Sequence, residues 1–295
     1  MADSENKPKR THQQNLDAIA ARSASAEQKA AETPKQMFLP GMDEVMRAMP
    51  NHIARSSLFA PVARGRRKIH DGTILPSRDD AEIRFSGKQL DEAQADVWMQ
   101  AMREAQRLPL GTPVTINRAK FLRDIGRTAS GQNYAWLHQT MKDLAFAMLV
   151  IEVRKADGKP KLSIGKTRML HLISGFDYDD DSETYKLTID PRWRVMYGNQ
   201  EYSLIDWGKR LQIGRGQDMA KTLQRLVATS SDPVQRYALD WLKDKMEYSS
   251  PLRKFREALQ AAVSELQRLE IVSKGQIGNS SKGRPQLVLW VNPSM

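Results

Sequence analysis

Few residues in this chain have the types and spacing of a reactive site, and each such group lacks a necessary member. Gly126-Arg-Thr-Ala-Ser-Gly131 has the glycine spacing of a phosphate loop, but Gln132-Asn133 stand where Lys followed by Ser or Thr must neutralise phosphate and hold magnesium. It reads as a turn. Gly214-Arg-Gly216 begins a dinucleotide fingerprint, yet Met219 occupies the place of its third glycine. Asp177, Asp179 and Asp181 alternate as in a calcium loop, but Ser182 replaces the obligatory glycine and Thr188 the closing glutamate, which leaves an acidic hairpin turn. The histidines His12, His52, His70, His138 and His171 are scattered, so no paired-histidine metal cradle of the kind a rolling-circle nuclease needs is encoded. With no cysteine there is no thiolate site, disulfide framework or Cys nucleophile. The expectation is a protein that is not an enzyme, with no catalytic residues, metal or cofactor.

What remains is charge and hydrogen-bonding capacity. Lys and Arg number 46 against 35 Asp and Glu, a net charge of +11 over 295 residues, and such an excess favours a polyanionic partner, nucleic acid foremost. In helix-turn-helix proteins the second helix enters the major groove, and Asn, Gln, Arg and Lys read base edges by paired hydrogen bonds. Two stretches offer such residues. The first holds Gln132, Asn133, Trp136, Gln139 and Lys142, off a Leu137/Met141/Leu144 stripe or at the helix start, followed by Arg154, Lys159 and Lys161 on a hairpin. The second holds Ser250, Arg253, Lys254 and Arg256 at the start of a helix, followed by Lys274, Gln276, Lys282 and Arg284 around a polar loop. A basic first turn opposes the helix dipole, so Arg253, Lys254 and Arg256 ask for a reason outside helix stability. Phosphate and base contacts supply one.

The elements that must position these residues follow from periodicity. Leu90 to Arg107 reads as a helix with Val97, Trp98, Ala101, Met102 and Ala105 on one face. A short strand, Gly111 to Asn117, ends in an N-cap before a short helix, Arg118 to Ile125. A second helix runs from about Gln132 to Phe146. Strands at Leu149 to Arg154 and Lys161 to Ile164 flank Asp157-Gly158, a hairpin turn signal. This order describes a winged helix-turn-helix, and a further hairpin, Arg168 to Phe176 and Tyr185 to Ile189, is expected to extend its sheet. The C-terminal third repeats the plan. Leu204 to Leu211, Met219 to Thr229 and Val234 to Met246 read as helices, and Ser249 and Ser250 offer an N-cap before Pro251. The next helix carries a Phe255, Leu259, Ala262, Val263, Leu266 and Leu269 stripe, and Ile271 to Val272 and Gln286 to Val291 form the wing.

The expected fold class is therefore α+β, mainly helical, with two tandem winged helix-turn-helix domains preceded by a disordered N-terminal tail. The divisions are a tail at 1–35, which has too few large apolar side chains to offset the entropy of ordering, an extended basic arm and linker at 36–89, and winged-helix domains at 90–192 and 193–295. The arm holds Pro40, Pro50 and Pro61 among glycines, and its basic face carries Arg47, Arg55, Arg64, Arg66, Arg67 and Lys68. No apolar run approaches a membrane span, and the first 35 residues lack the apolar stretch of a secretory signal. A soluble, cytoplasmic protein with no membrane partner is expected.

Residues 46–59, Met-Arg-Ala-Met-Pro-Asn-His-Ile-Ala-Arg-Ser-Ser-Leu-Phe, resemble a block near the start of the folded part of TrfA-type plasmid replication initiators. The resemblance continues, more weakly, from about residue 36 to the C-terminus. It implies an initiator that binds tandem direct repeats (iterons) in double-stranded DNA at the origin, opens an adjacent AT-rich region and recruits host replication proteins: the replicative helicase and its loader, the initiator and the sliding clamp. Single-stranded DNA is a further candidate ligand. It also implies a monomer on DNA and an inactive homodimer in solution, for which Leu170, Leu172 and Ile173 are apolar candidates. Related initiators carry a Gln-led clamp motif before this block; Gln36, Met37, Phe38 and Leu39 match its Gln and Leu, but Pro40 stands where an aromatic residue usually follows. The alternative is a winged-helix transcriptional repressor or regulator on a palindromic operator, which would suit a symmetric dimer.

Overall fold

The computed structural model describes residues 45–292 apart from 63, 64, 66, 79, 107, 156, 199 and 200. The expected tail at 1–35, the clamp-motif residues Gln36, Met37, Phe38 and Leu39, and Arg64 and Arg66 lie outside the described residues. The segment expected to be an extended arm, 36–89, is folded across most of its described length. β1 (Met46–Pro50) leads through α1 (Asn51–Arg55) and β2 (Phe59–Ala60) to β3 (Ile69–Leu75) and β4 (Ala81–Lys88), and Met49, Ile53, Phe59 and Ile83 are fully buried. Proline and glycine interrupt long helices, but they leave room for short strands, and apolar residues between them fill a core.

β5 (Leu90–Asp91) ends on Asp91, whose carboxylate accepts from Gln94 N while the Gln94 side chain reaches back to Asp91 N. This reciprocal cap starts α2 (Glu92–Ala105). β6 (Val114–Asn117) ends on Asn117, which caps α3 (Arg118–Asp124). Gly126, at φ 73°, makes the turn that follows, and Ser130 caps α4 (Gly131–Phe146). β7 (Met148–Arg154) and β8 (Pro160–Ile164) form the hairpin signalled by Asp157-Gly158. β9 (Leu170–His171), β10 (Gly175–Asp179), β11 (Thr184–Thr188), a 3-10 turn at Pro191–Trp193 and α5 (Arg194–Gly198) follow.

Two expectations change here. The second hairpin does not extend the β7–β8 sheet: β11 pairs with β6, making a separate sheet of order β10-β11-β6, while β7 is flanked by β4 in a β3-β4-β7-β8 sheet, with β9 also on β7. Leu170, Leu172 and Ile173 are fully buried; the most exposed large apolar side chains among the described residues of this region include Ile69 and Ile74 on edge strand β3 and Phe146.

The stretch Leu204 to Leu211 divides into β12 (Tyr202–Asp206), which pairs with β1 through Ala48 and Leu204, and α6 (Trp207–Gln212), capped by Asp206. After α7 (Asp218–Val227), the expected helix from Val234 to Met246 is β13 (Val234–Ala238) followed by α8 (Leu239–Lys245). Gln235 turns inward there and donates to Val227 O and Ser230 O. α9 (Leu252–Arg268) starts on Pro251 itself with no side-chain cap, so Ser249 and Ser250 do not serve as its cap. β14 (Val272–Asn279) and β15 (Pro285–Val291) complete a sheet of order β13-β15-β14.

The fold is α+β but not mainly helical: fifteen strands accompany nine α-helices among the described residues. Two hydrophobic cores form. The first spans Ala48 to Trp207, with Trp98 edge-on to Trp193 at 5.0 Å; the second spans Ile213 to Leu289, built on α7, α9 and β15. The two cores meet in sequence across α6, between Trp207 and Ile213. Each body repeats the order helix, strand, helix, helix, strand, strand, as α2-β6-α3-α4-β7-β8 and α7-β13-α8-α9-β14-β15.

Candidate nucleic-acid interface

In the second body, α9 buries Phe255, Leu259, Ala262, Val263 and Leu266 against its core. That leaves Arg253, Lys254, Arg256, Gln260, Ser264 and Gln267 exposed, and four of these, Arg253, Arg256, Gln260 and Ser264, recur at three- and four-residue steps down one side. The first turn has no acidic residue and no side-chain cap, so free backbone N–H groups and three cations face the same solvent. Among the described residues, only Arg253 of those cations has an ion-pair partner, Glu257 at 2.6 Å, and both side chains are well exposed. A helix end of this kind lowers the free energy of a bound anion. Ser250, half-buried, sits just before Pro251.

The β14–β15 hairpin stands beside this helix. Gly275 and Leu289 face α9, so the alternation of the strand turns Lys274 and Gln276 outward. Lys274 lies over the Trp290 ring at 5.0 Å. Lys282 and Arg284 are exposed in the connecting loop, where Arg284 N donates to Ser280 Oγ. Arg236 is a further exposed cation, which the expected helix over Val234 to Met246 hides and the strand β13 reveals. On β13 it opposes Val288, which opposes Gln276 on the far side, so Arg236 and Gln276 share the outward face. Gln260, Ser264 and Gln267 lie beyond the basic first turn that the sequence singles out, at helical spacing from Arg253 and Arg256.

The first body gives a weaker candidate. On α4, Gln132 and Lys142 reach solvent. Asn133 is engaged internally: its Nδ2 donates to Thr128 O at 2.8 Å and Thr128 Oγ1 at 3.0 Å. Trp136 is half-buried under the Arg127 guanidinium, 3.6 Å from its ring centroid. Gln139 donates to Asp143, which also pairs with Lys88. On the hairpin Arg154 and Lys159 are exposed, with Lys159 beside Asp157, while Lys161 is neutralised by Glu201. The β10–β11 turn is acidic, and Asp179 accepts from Asp181 N and Ser182 N, an ordinary Asx turn. Its Glu183 pairs with Arg118, whose guanidinium stacks on Tyr134 of α4 at 4.1 Å. Burial and Lys142 push the pKa of His138 down among Phe176, Tyr178 and Tyr185. Neither α4 nor α9 has an acidic residue in its own first turn, but Glu183 is tied to the start of α4 through Arg118 and Tyr134, and Asp143 occupies its later turns beside Gln139.

The remaining basic residues of the expected arm point elsewhere. Arg47 is buried against Gln100 and Trp207, Arg55 donates to Thr229, Arg67 pairs with Asp91, and Lys68 with Glu247. Among the described residues, no group of three or more His, Cys, Asp or Glu side chains is placed to hold a metal ion, and no helix is long and apolar enough to cross a membrane.

The family model described as TrfA protein matches residues 19–280. Among curated proteins, the plasmid replication initiator protein TrfA of Escherichia coli is 22% identical over 242 residues, which take in 80% of this chain and 60% of that protein. The chain therefore spans less than two thirds of that relative. Among solved structures, domains 2 and 3 of RctB, crystallised as selenomethionine derivatives, share the fold with a TM-score of 0.50 at 11% identity, covering 83% of this chain and 99% of that one. With the family model matched over most of its length, this chain belongs to the TrfA family.

Proposed function

We propose that this chain is a plasmid replication initiator: a non-enzymatic, sequence-specific DNA-binding protein with two winged helix-turn-helix modules that binds tandem direct repeats at an origin. The single observation that carries this reading is the start of α9, where an uncapped helix end, three cations and the outward row of Gln260 and Ser264 stand beside a wing bearing Lys274, Gln276, Lys282 and Arg284. Membership of the TrfA family and the repeated element order of the two bodies support it. In the second body the sheet order β13-β15-β14 pairs the first strand with the last, as in a winged helix, whereas in the first body β6 pairs with β11. α9 is the major-groove reader, and α4 with the β7–β8 hairpin is its counterpart in the first body, contacting DNA through Gln132, Lys142, Arg154 and Lys159. The bound form is a monomer in the cytoplasm, with self-association through the first body, which presents Ile69 and Ile74 on edge strand β3. AT-rich opening and recruitment of the host helicase, its loader, the initiator and the clamp complete the reading.

The test is footprinting and fluorescence anisotropy of the full chain on the non-coding DNA flanking its own gene. Protection of several direct repeats is expected, with affinity falling by about one log unit per log unit of salt for each phosphate contacted. A flat salt response or the absence of any preferred sequence refutes the proposal, and one protected palindrome at a promoter replaces it with a regulator.

A further inference from the structure

Part of the most distinctive block of the sequence, residues 46–59, stays within the first body, where Arg47 meets Gln100 and Asn51 N donates to Glu201 O, but its 49–59 portion also reaches the second. Arg55 Nε donates to Thr229 Oγ1 at 2.9 Å, at the end of α7. Ser56 O accepts from Lys245 Nζ of α8 at 2.7 Å, and Phe59 O accepts from Arg225 of α7 at 2.9 Å. Met49 Sδ lies 3.4 Å from the same guanidinium. The carboxylate beneath them is Glu92, the first residue of α2. Its oxygens take Arg210 at 2.8 Å, the Thr222 hydroxyl at 2.6 Å and the Arg225 guanidinium. Arg210 also holds Asp96, which pairs with Lys221. Glu92, Arg210, Arg225 and Lys245 are all 0% exposed. Burial alone would raise the Glu92 carboxyl, but Arg225 and Arg210 outweigh it and hold it at about 2.

A buried charge cluster resists sliding and small rotations, because each displaced partner leaves an ion without water and without a counter-charge. Its hydrogen bonds are directional, so it selects one orientation of α7 on α2. We infer that the 46–59 block and Glu92 clamp the two bodies into a single rigid reader, with Glu92 as the positioning residue that sets the spacing of the two DNA segments read. This rests on the DNA-binding reading above. One added base pair moves the far segment by about 3.4 Å and rotates it by about a tenth of a turn, a displacement that a hinged protein absorbs and a clamped one does not.

The experiment uses the full chain in two ways. The protein has no native cysteine, so Thr115→Cys on β6 and Asp244→Cys on α8, both exposed, accept spin labels for distance measurement without DNA. The parent should give one narrow distance and Glu92→Gln a broad distribution; Thr222→Val, which keeps every charge, gives intermediate broadening and serves if Glu92→Gln fails to fold. On DNA, one to five base pairs are inserted between the segments protected by the two bodies. The parent should lose affinity at least about tenfold, whereas the variants bind the native spacing more weakly but with a flatter spacing profile. Partial recovery of the parental profile by Glu92→Asp would mark a role of the carboxylate itself. A broad parental distance, or identical spacing profiles in parent and variants, overturns the inference. Failure of the parent to prefer any DNA sequence would instead sink the DNA reading and the spacing half with it, while the label distances still decide whether the clamp exists.

Discussion

Gly275 sits where β14 crosses α9, and replacing it by alanine should damage the second body by a purely steric route. A Cβ built there lies 2.3 Å from Val263 Cγ1 and 2.9 Å from Leu289 Cδ2. Gly275 is not among the glycines with positive φ, so no backbone strain is added, and in open space the change would stabilise by about 0.4–1 kcal/mol through the unfolded chain. Leu289 can swing its methyl aside. Val263, β-branched on a helix, has one favoured rotamer, so the strand must lift off the helix, and overpacking of this kind costs about 1–3 kcal/mol. A net loss of about 1–2 kcal/mol is expected from urea denaturation followed by tryptophan fluorescence. Val263→Ala alone removes two methyls from a fully buried side chain and should cost about 2 kcal/mol. In the double variant the new methyl occupies the vacated space, so the combined loss should fall short of the sum by at least about 1 kcal/mol. Additive losses, or an unchanged Gly275→Ala midpoint, would refute the packing argument. Because Lys274 and Gln276 flank Gly275, the single variant should also weaken DNA binding while leaving its salt slope unchanged, since every cation remains.

Three other expectations concern charge and hydrogen bonding. Glu92→Gln should lose about 3–5 kcal/mol of stability, because Arg210 and Arg225 are left buried without their counter-charge. Glu92 titrates at about 2 when folded against 4.5 otherwise; its contribution is present above about pH 4.5 and is lost as pH falls toward 2, about 3 kcal/mol in all, so the parent's denaturation midpoint should fall more steeply with acid than the variant's. Arg253→Ala with Arg256→Ala should reduce affinity for all DNA sequences and lower the salt slope by about one per lost phosphate contact, whereas Gln260→Ala should leave the slope and cost about 1–3 kcal/mol of discrimination at one base pair, measured by anisotropy on substituted sites. Asn133→Ala should cost about 1 kcal/mol of stability, through its lost bonds to Thr128, without changing base preference; a changed preference would return Asn133 to the interface.

What the sequence determined by itself is what short-range chemistry determines. The α9 stripe, the Asp157-Gly158 hairpin and the cap at Asn117 all depend on residues within a few positions of one another, and all are present. So does the basic first turn of α9, whose Arg253, Lys254 and Arg256 oppose the helix dipole. The 46–59 block was legible as a family signature but not in its role, because a basic side chain reads alike whether it meets phosphate or a buried carbonyl. Val234 to Ala238 reads as part of a helix until β15 arrives about fifty residues later to pair with it, and β6 finds its partner in β11 rather than in the adjacent wing. Glu92 is the extreme case: an acid at the start of a helix is favourable in water as well, and its arginines lie 118 and 133 residues away. Only the tertiary structure, by excluding water from those three side chains together, turned an ordinary helix-terminal glutamate into the contact that orients one body on the other.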